Sequence, residues 1–98
     1  MIIPVKVVYM SEYTAEVTFS NNETGIIDFS FLFDGRKIYE PLKNKALFKT
    51  IRISEDGMCI EWAKDIDISP EETYNQFNKQ KLGWLISAYK ATILFEIG

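Results

Sequence analysis

Apolar and polar residues alternate near the beginning of the chain in the manner of β-strands. Residues 3–9 are rich in β-branched side chains, and residues 13–19 alternate apolar and polar positions with a period of two. Asn21-Asn22 follows, and asparagine tolerates the positive φ values of tight turns before the apolar pattern resumes at residues 26–29. The pattern predicts a short N-terminal strand followed by a β-hairpin.

The middle of the chain predicts a second hairpin. Residues 51–53 place an arginine between two isoleucines, and residues 55–57 have the Glu-Asp-Gly sequence of a turn. After the turn, three apolar residues share one face of a predicted strand: Met58, Ile60 and Trp62. Between the two hairpins, residues 45–48 predict a single helical turn within a connecting segment.

A helix start is marked at Ser69-Pro70-Glu71-Glu72. The Ser69 hydroxyl is suited to accept from N–H groups of the first turn, proline is tolerated there, and Glu72 completes a capping box. Beyond it, apolar residues lie three and four apart, with interruptions at Asn78 and Lys81, and Gly83 weakens the continuation. We therefore predict an α+β fold, with a small antiparallel sheet built from two hairpins plus a short N-terminal strand, and one helix after Ser69-Pro70.

The C-terminal tail is the most apolar part of the chain, and its pattern fits either a continued helix or a closing strand. We predict a single α+β domain over residues 1–77 and an apolar extension over residues 78–98, packed on that domain or on a partner. One small core is too small to hide all of these side chains, and large exposed apolar patches mark interfaces. We expect a homodimer or a protein partner to bind through Trp84, Leu85, Tyr89, Ile93 and Phe95.

Composition and charge narrow the classes of function. The chain has 98 residues, enough for one core, and its net charge of -3 makes nucleic acid an unlikely partner. The single cysteine, Cys59, excludes an intrachain disulfide and suits the cytoplasm, while the N-terminus has no signal-peptide pattern. Residues 82–97 are interrupted by Lys90 and Glu96 and are shorter than the roughly 20 residues of a membrane span, so no membrane role is predicted.

The sequence contains few of the residue types and motifs that active sites commonly use. Without a histidine, the chain cannot assemble a Ser-His or Cys-His pair, and its isolated glycines build no phosphate-binding loop. We predict no catalytic residues, no cofactor and no metal site. The alternative is a metal-dependent enzyme or metal binder that uses Glu61, Asp65 and Asp67, because carboxylates bind Mg²⁺ and Ca²⁺. Asp28 is a further candidate for a polar site, with a structural role as the competing interpretation.

Several short motifs follow one another in an order that resembles a known family. They are Val17-Thr18-Phe19, Ile27-Asp28-Phe29, Leu42, Phe48, Glu61-Trp62, Asp67-Ile68, Ser69-Pro70-Glu71 and Tyr74. This order is similar to that of the small bacterial family called domain of unknown function 2442, over about residues 3–74. The chain departs from the family at Asn21-Asn22, where Asp-Gly is usual, and at Ala63 and Asp65, where proline and glycine are usual.

The resemblance implies an α+β domain of short antiparallel strands, followed by a helix after the Asp-x-x-Pro-Glu segment. Members occur alone or fused to a helix-turn-helix module, sometimes encoded near genes for toxins, and no enzymatic role comes with the family. No helix-turn-helix module is recognisable in the tail. Together with the residues, this predicts a noncatalytic interaction module, regulatory or antitoxin-like, that acts through its surface.

Overall fold

The computed structural model describes the backbone of residues 1–97 and the side chains of residues 1–88. Its elements are β1 (Pro4–Ser11), β2 (Thr14–Phe19), β3 (Thr24–Asp28), α1 (Lys45–Phe48), β4 (Arg52–Ile53), β5 (Ile60–Trp62), β6 (Ile66–Ile68) and α2 (Pro70–Ile97). Two short 3₁₀ helices, Phe29–Leu32 and Lys37–Lys43, connect β3 to α1. The predicted α+β fold and its helix after Ser69-Pro70 are confirmed.

The strands form two antiparallel sheets of three strands each, in the orders β1-β2-β3 and β4-β5-β6. The hairpins β2–β3 and β4–β5 are the two that the sequence predicts. They belong to two different sheets and not to the single sheet that the sequence predicts, because β1 packs beside β4 without pairing with it. In the first hairpin Asn22 has a φ of 71°, the positive value expected of its turn.

The second sheet differs from the prediction at two points. Met58 is not in a strand, because its N–H donates to Asp56 Oδ1 at 3.0 Å within the turn and β5 begins only at Ile60. The sequence also missed β6, which follows a reversal at Lys64 and Asp65 with φ values of 66° and 59°. Two consecutive left-handed residues without glycine are uncommon, so the turn had no sequence signal.

One apolar core lies between the sheets and receives side chains from both. Trp62 is fully buried, and its ring centroid lies 5.8 Å from those of both Phe29 and Phe48. Strands of the first sheet contribute Val17, Phe19 and Ile27 to this core, and the second contributes Ile60, Ile66 and Ile68. The alternation of β2 is therefore explained, since its apolar positions face the core and its polar positions face outward.

Helix α2 begins where its sequence predicts, with Ser69 as its N-cap. The predicted capping box is only half formed among the described residues, because the Glu72 carboxylate binds Arg36 instead of the Ser69 N–H. Ser69 Oγ accepts from the N–H of Glu72 at 3.1 Å, and Thr73 Oγ1 donates to the Ser69 carbonyl at 2.8 Å. The Glu72 carboxylate lies 2.8 Å from Arg36 Nη1, so it ties α2 to the segment that connects β3 to α1. Its negative charge also interacts favourably with the positive N-terminal end of the helix dipole. Both interactions fix where the helix leaves the second sheet.

The helix continues through Gly83 to Ile97, so the tail is helical rather than a closing strand, and the predicted weakening at Gly83 does not end the helix. The boundary predicted between residues 77 and 78 falls inside α2. Among the described residues, no helix combines the length and apolar character needed to cross a membrane.

Candidate functional site

The acidic residues predicted as a polar site are divided between the two sheets, with Glu61, Asp65 and Asp67 in or beside the second sheet and Asp28 in the first. Glu61 Oε2 lies 2.7 Å from Arg52 Nε on the neighbouring strand, and Glu61 is the cross-strand partner of Asp67 on the other side. Asp65 belongs to the left-handed turn that precedes β6. Asp28 lies in the other sheet, at the end of β3. Within the part of the chain that the structure describes, no group of three or more acidic or cysteine side chains is suited to hold a metal ion.

Asp28 has a clear structural role. Its Oδ1 accepts from the N–H of Ser30 at 2.9 Å and thereby caps the 3₁₀ helix that follows β3. Its own N–H donates to Gln80 Oε1 at 2.8 Å, and its carbonyl accepts from Gln80 Nε2 at 2.9 Å. The Gln80 amide therefore pairs with the outer side of Asp28 as a residue of a neighbouring strand would.

Strand β3 lies at the edge of the first sheet. Besides Asp28, two of its residues direct their backbone N–H and C=O groups away from β2. Phe19 N donates to Glu23 O at 2.8 Å, and Phe29 N donates to Tyr13 O at 2.8 Å. The backbone N–H and C=O groups of an antiparallel strand point alternately to its two sides. In β3 the groups of odd-numbered residues therefore bond to β2, and those of even-numbered residues point away from β2. Thr24, Ile26 and Asp28 are the outward residues, and of these Asp28 is paired with Gln80.

Helix α2 packs directly on this edge at Gly25. A Cβ atom at Gly25 would lie 2.8 Å from Phe77 Cε2 and 3.0 Å from Trp84 Cζ3, so only glycine allows this approach. Phe77 is almost fully buried, whereas Trp84 is 42% exposed. An isolated glycine in a strand pattern is the sequence signal that could have located this contact.

A groove of about 710 Å³ runs beside the outer side of β3, next to the indole of Trp84. We call it the edge groove. Its lining includes the outward groups of β3 and side chains from β2 and α2, among them Glu16, Ile26, Asp28, Gln80 and Trp84. The charged side chains of this lining are both acidic, Glu16 and Asp28, and neither makes an ion pair with a described residue.

Glu23 holds the first hairpin against α2. Its Oε1 accepts from the Tyr74 hydroxyl at 2.5 Å and from Asn21 Nδ2, and its Oε2 lies 2.9 Å from Lys81 Nζ. The hydrogen bonds from Tyr74, Lys81 and Asn21 lower the pKa of Glu23 to about 2. Lys81, which interrupts the apolar pattern of the sequence, is thus one of the groups that dock the helix.

A second apolar surface lies on α2 away from the sheet. Leu82 and Leu85 are each 59% exposed and Ile86 is 46% exposed. At 100° per residue Leu82 and Ile86 lie on the side of the helix away from Phe77 and Trp84. Leu85 lies between the two sides and lines a groove together with Phe77 and Trp84. We call Leu82, Leu85 and Ile86 the α2 stripe. Of the interface residues predicted from sequence, Trp84 is 42% exposed and Leu85 is 59% exposed. Tyr89, Ile93 and Phe95 lie within α2, but their side chains are outside the described residues.

Comparison with known proteins gives one finding about identity. The profile of a family described as "Protein of unknown function (DUF2442)" matches residues 4–79, most of the chain. The chain belongs to the DUF2442 family. The family match confirms the resemblance seen in the motifs, and it covers both sheets and the first turns of α2. No curated protein and no solved structure showed significant similarity to this DUF2442 chain.

Proposed function

We propose that this DUF2442 protein is a noncatalytic interaction module that associates with a second copy of itself through the α2 stripe. The single observation that supports the proposal is the exposure of Leu82, Leu85 and Ile86 side by side on one helix. Leaving a leucine or isoleucine in water rather than burying it costs roughly 1.5–3 kcal/mol per side chain. A cluster of exposed apolar side chains commonly marks a surface that another protein chain covers.

A second copy is the simplest occupant of this surface. In a two-fold contact the same stripe supplies both sides, so each Leu82 and Ile86 meets apolar atoms of the other copy without a further component. Helix α2 has 28 residues and is therefore about 42 Å long, enough for two copies to align along several turns. A regulatory or antitoxin-like role, which the family resemblance implies, stays a prediction that is built on this association.

The experiment compares oligomeric state by size-exclusion chromatography with light scattering. We expect wild-type protein to elute as a dimer and the Leu82→Glu/Ile86→Glu variant to elute as a monomer, because burying two carboxylates in the contact is costly. Ser87→Glu is the matched control, since it adds a charge to an exposed position on another side of the same turn. A wild-type protein and a double variant with identical masses would contradict the proposal.

A further inference from the structure

We propose that the edge groove binds an extended segment of another protein, which adds to the first sheet as a fourth strand beside β3. The hydrogen-bonding groups for such a strand are already in place. The outward N–H and C=O groups of Thr24 and Ile26 have no partner among the described residues, while the equivalent groups of Asp28 are satisfied by Gln80. Exposed edges of this kind pair readily with additional strands.

The Gln80 side chain shows that this edge accepts amide groups in strand-like geometry. Its Oε1 and Nε2 reach the N–H and C=O of Asp28 at 2.8 Å and 2.9 Å, as the backbone of an added strand would. Gln80 also blocks the pairing at Asp28, so the open part of the edge is short and begins at Thr24. The added segment would therefore end, or turn away, where it meets α2.

The lining of the edge groove defines which side chains the segment should carry. Trp84 offers an apolar surface on the helix side, and its indole is held against Gly25 and Phe77. The opposite side of the groove presents Glu16 and Asp28, and neither carboxylate makes an ion pair within the part of the chain whose side chains the structure describes. Because side chains of a strand alternate between two faces, the best match is a segment that alternates apolar residues with lysine or arginine.

Charge argues against a second copy of the chain in this groove. The β3 sequence, Thr-Gly-Ile-Ile-Asp, contains no basic residue and carries one acid. Pairing β3 with β3 of another copy would bring further carboxylates to a groove whose charged groups are already acidic. The inference is therefore independent of the self-association proposed for the α2 stripe, and it involves different residues.

The test uses a pentapeptide probe, acetyl-Lys-Val-Lys-Val-Lys-amide, titrated into the full ¹⁵N-labelled chain at low salt. We expect shifts and slowed exchange at the amides of Thr24 and Ile26 and a shift of the Trp84 indole N–H. The charge-reversed peptide acetyl-Glu-Val-Glu-Val-Glu-amide should bind at least about tenfold more weakly, because its carboxylates meet those of the groove. Raising the salt concentration should reduce this difference.

Two kinds of variant separate backbone pairing from charge. Ile26→Pro removes the outward N–H and places the proline ring at the edge of the sheet, a change that an edge strand tolerates. Ile26→Thr keeps the N–H and serves as the control. Glu16→Gln with Asp28→Asn removes the charges while keeping shape and cap. We expect Ile26→Pro to weaken binding at least about tenfold, and the amide pair to abolish the preference for the basic peptide.

Several results would overturn the inference. They are equal binding of both peptides, shifts that lie away from β3 and Trp84, or full binding by Ile26→Pro when its spectrum shows a folded protein. If Ile26→Pro does not fold, the peptide comparison and the amide pair still decide the question. Leu82→Glu/Ile86→Glu should bind the probe as well as wild type does, so failure of the stripe proposal and failure of this one are distinguishable.

Discussion

Gly25→Ala tests whether α2 rests directly on the backbone of β3. The new methyl group would lie 2.8 Å from Phe77 Cε2, and 3.0 Å and 3.2 Å from two atoms of the Trp84 ring. Phe77 is 2% exposed and has little room to move, so the helix or the strand must shift. Overpacking of this kind costs about 1–3 kcal/mol, whereas replacing glycine by alanine in a strand returns about 0.5–1 kcal/mol.

The expected net effect is therefore a loss of up to about 2.5 kcal/mol in the free energy of unfolding. Urea denaturation followed by far-ultraviolet circular dichroism measures this loss. Thermal unfolding should show a fall in Tm of several degrees, since each kcal/mol shifts the Tm of a domain of this size by about 4–8 °C. The indole N–H resonance of Trp84 should shift as well, because its ring is one of the two that must move.

Gly83→Ala provides a matched control in the same helix. Nothing lies within 4 Å of a Cβ atom at Gly83, so the methyl group enters open space. Because alanine favours the helix interior over glycine by about 0.5–1 kcal/mol, this variant should be more stable than wild type. The same substitution thus has opposite signs at the two glycines. A stabilising Gly25→Ala, or a destabilising Gly83→Ala, would refute the described packing of α2.

Three further predictions concern Glu23, Gln80 and the acidic residues of the second sheet. Because the pKa of Glu23 lies at about 2 rather than 4.5, its stabilising contribution is complete above pH 4.5 and is lost as the pH falls toward 2. Glu23→Gln should therefore flatten the acid dependence of unfolding in that window, and an unchanged dependence would contradict the role of this residue. Gln80→Ala should speed hydrogen exchange at the Asp28 amide by about fivefold, and unchanged exchange would show that the amide pairing is absent in solution. Titration with Mg²⁺ or Ca²⁺ should leave the amides of Glu61 and Asp67 unshifted, and saturable shifts would revive the metal-binding alternative.

Elements with a strong local pattern could be predicted from the sequence. Ala15, Val17 and Phe19 alternate with polar residues because one face of β2 is fully buried. Ser69 marks the start of α2 because its hydroxyl satisfies a backbone N–H that the first helical turn leaves unpaired. In both cases the residues that satisfy the physical requirement are neighbours in the sequence, so the local pattern of residue types is enough to predict the element.

Features that depend on contacts between distant segments could not be predicted in this way. Strand β6 has three residues and follows a left-handed turn at Lys64 and Asp65, so neither its length nor its turn gave a signal. The pairing of Gln80 with Asp28 joins residues 52 positions apart and requires the helix to lie along β3. The edge groove is a product of that arrangement, and only Gly25 hints at it in the sequence.

Association through the α2 stripe is the central claim of this account, and sedimentation velocity over a range of protein concentrations tests it most directly. We predict a dimer that dissociates on dilution and a substantially lower sedimentation coefficient when Leu82 and Ile86 are both replaced by glutamate. A protein that sediments as a monomer at every concentration, with Leu82 and Ile86 accessible to solvent throughout, would contradict the claim.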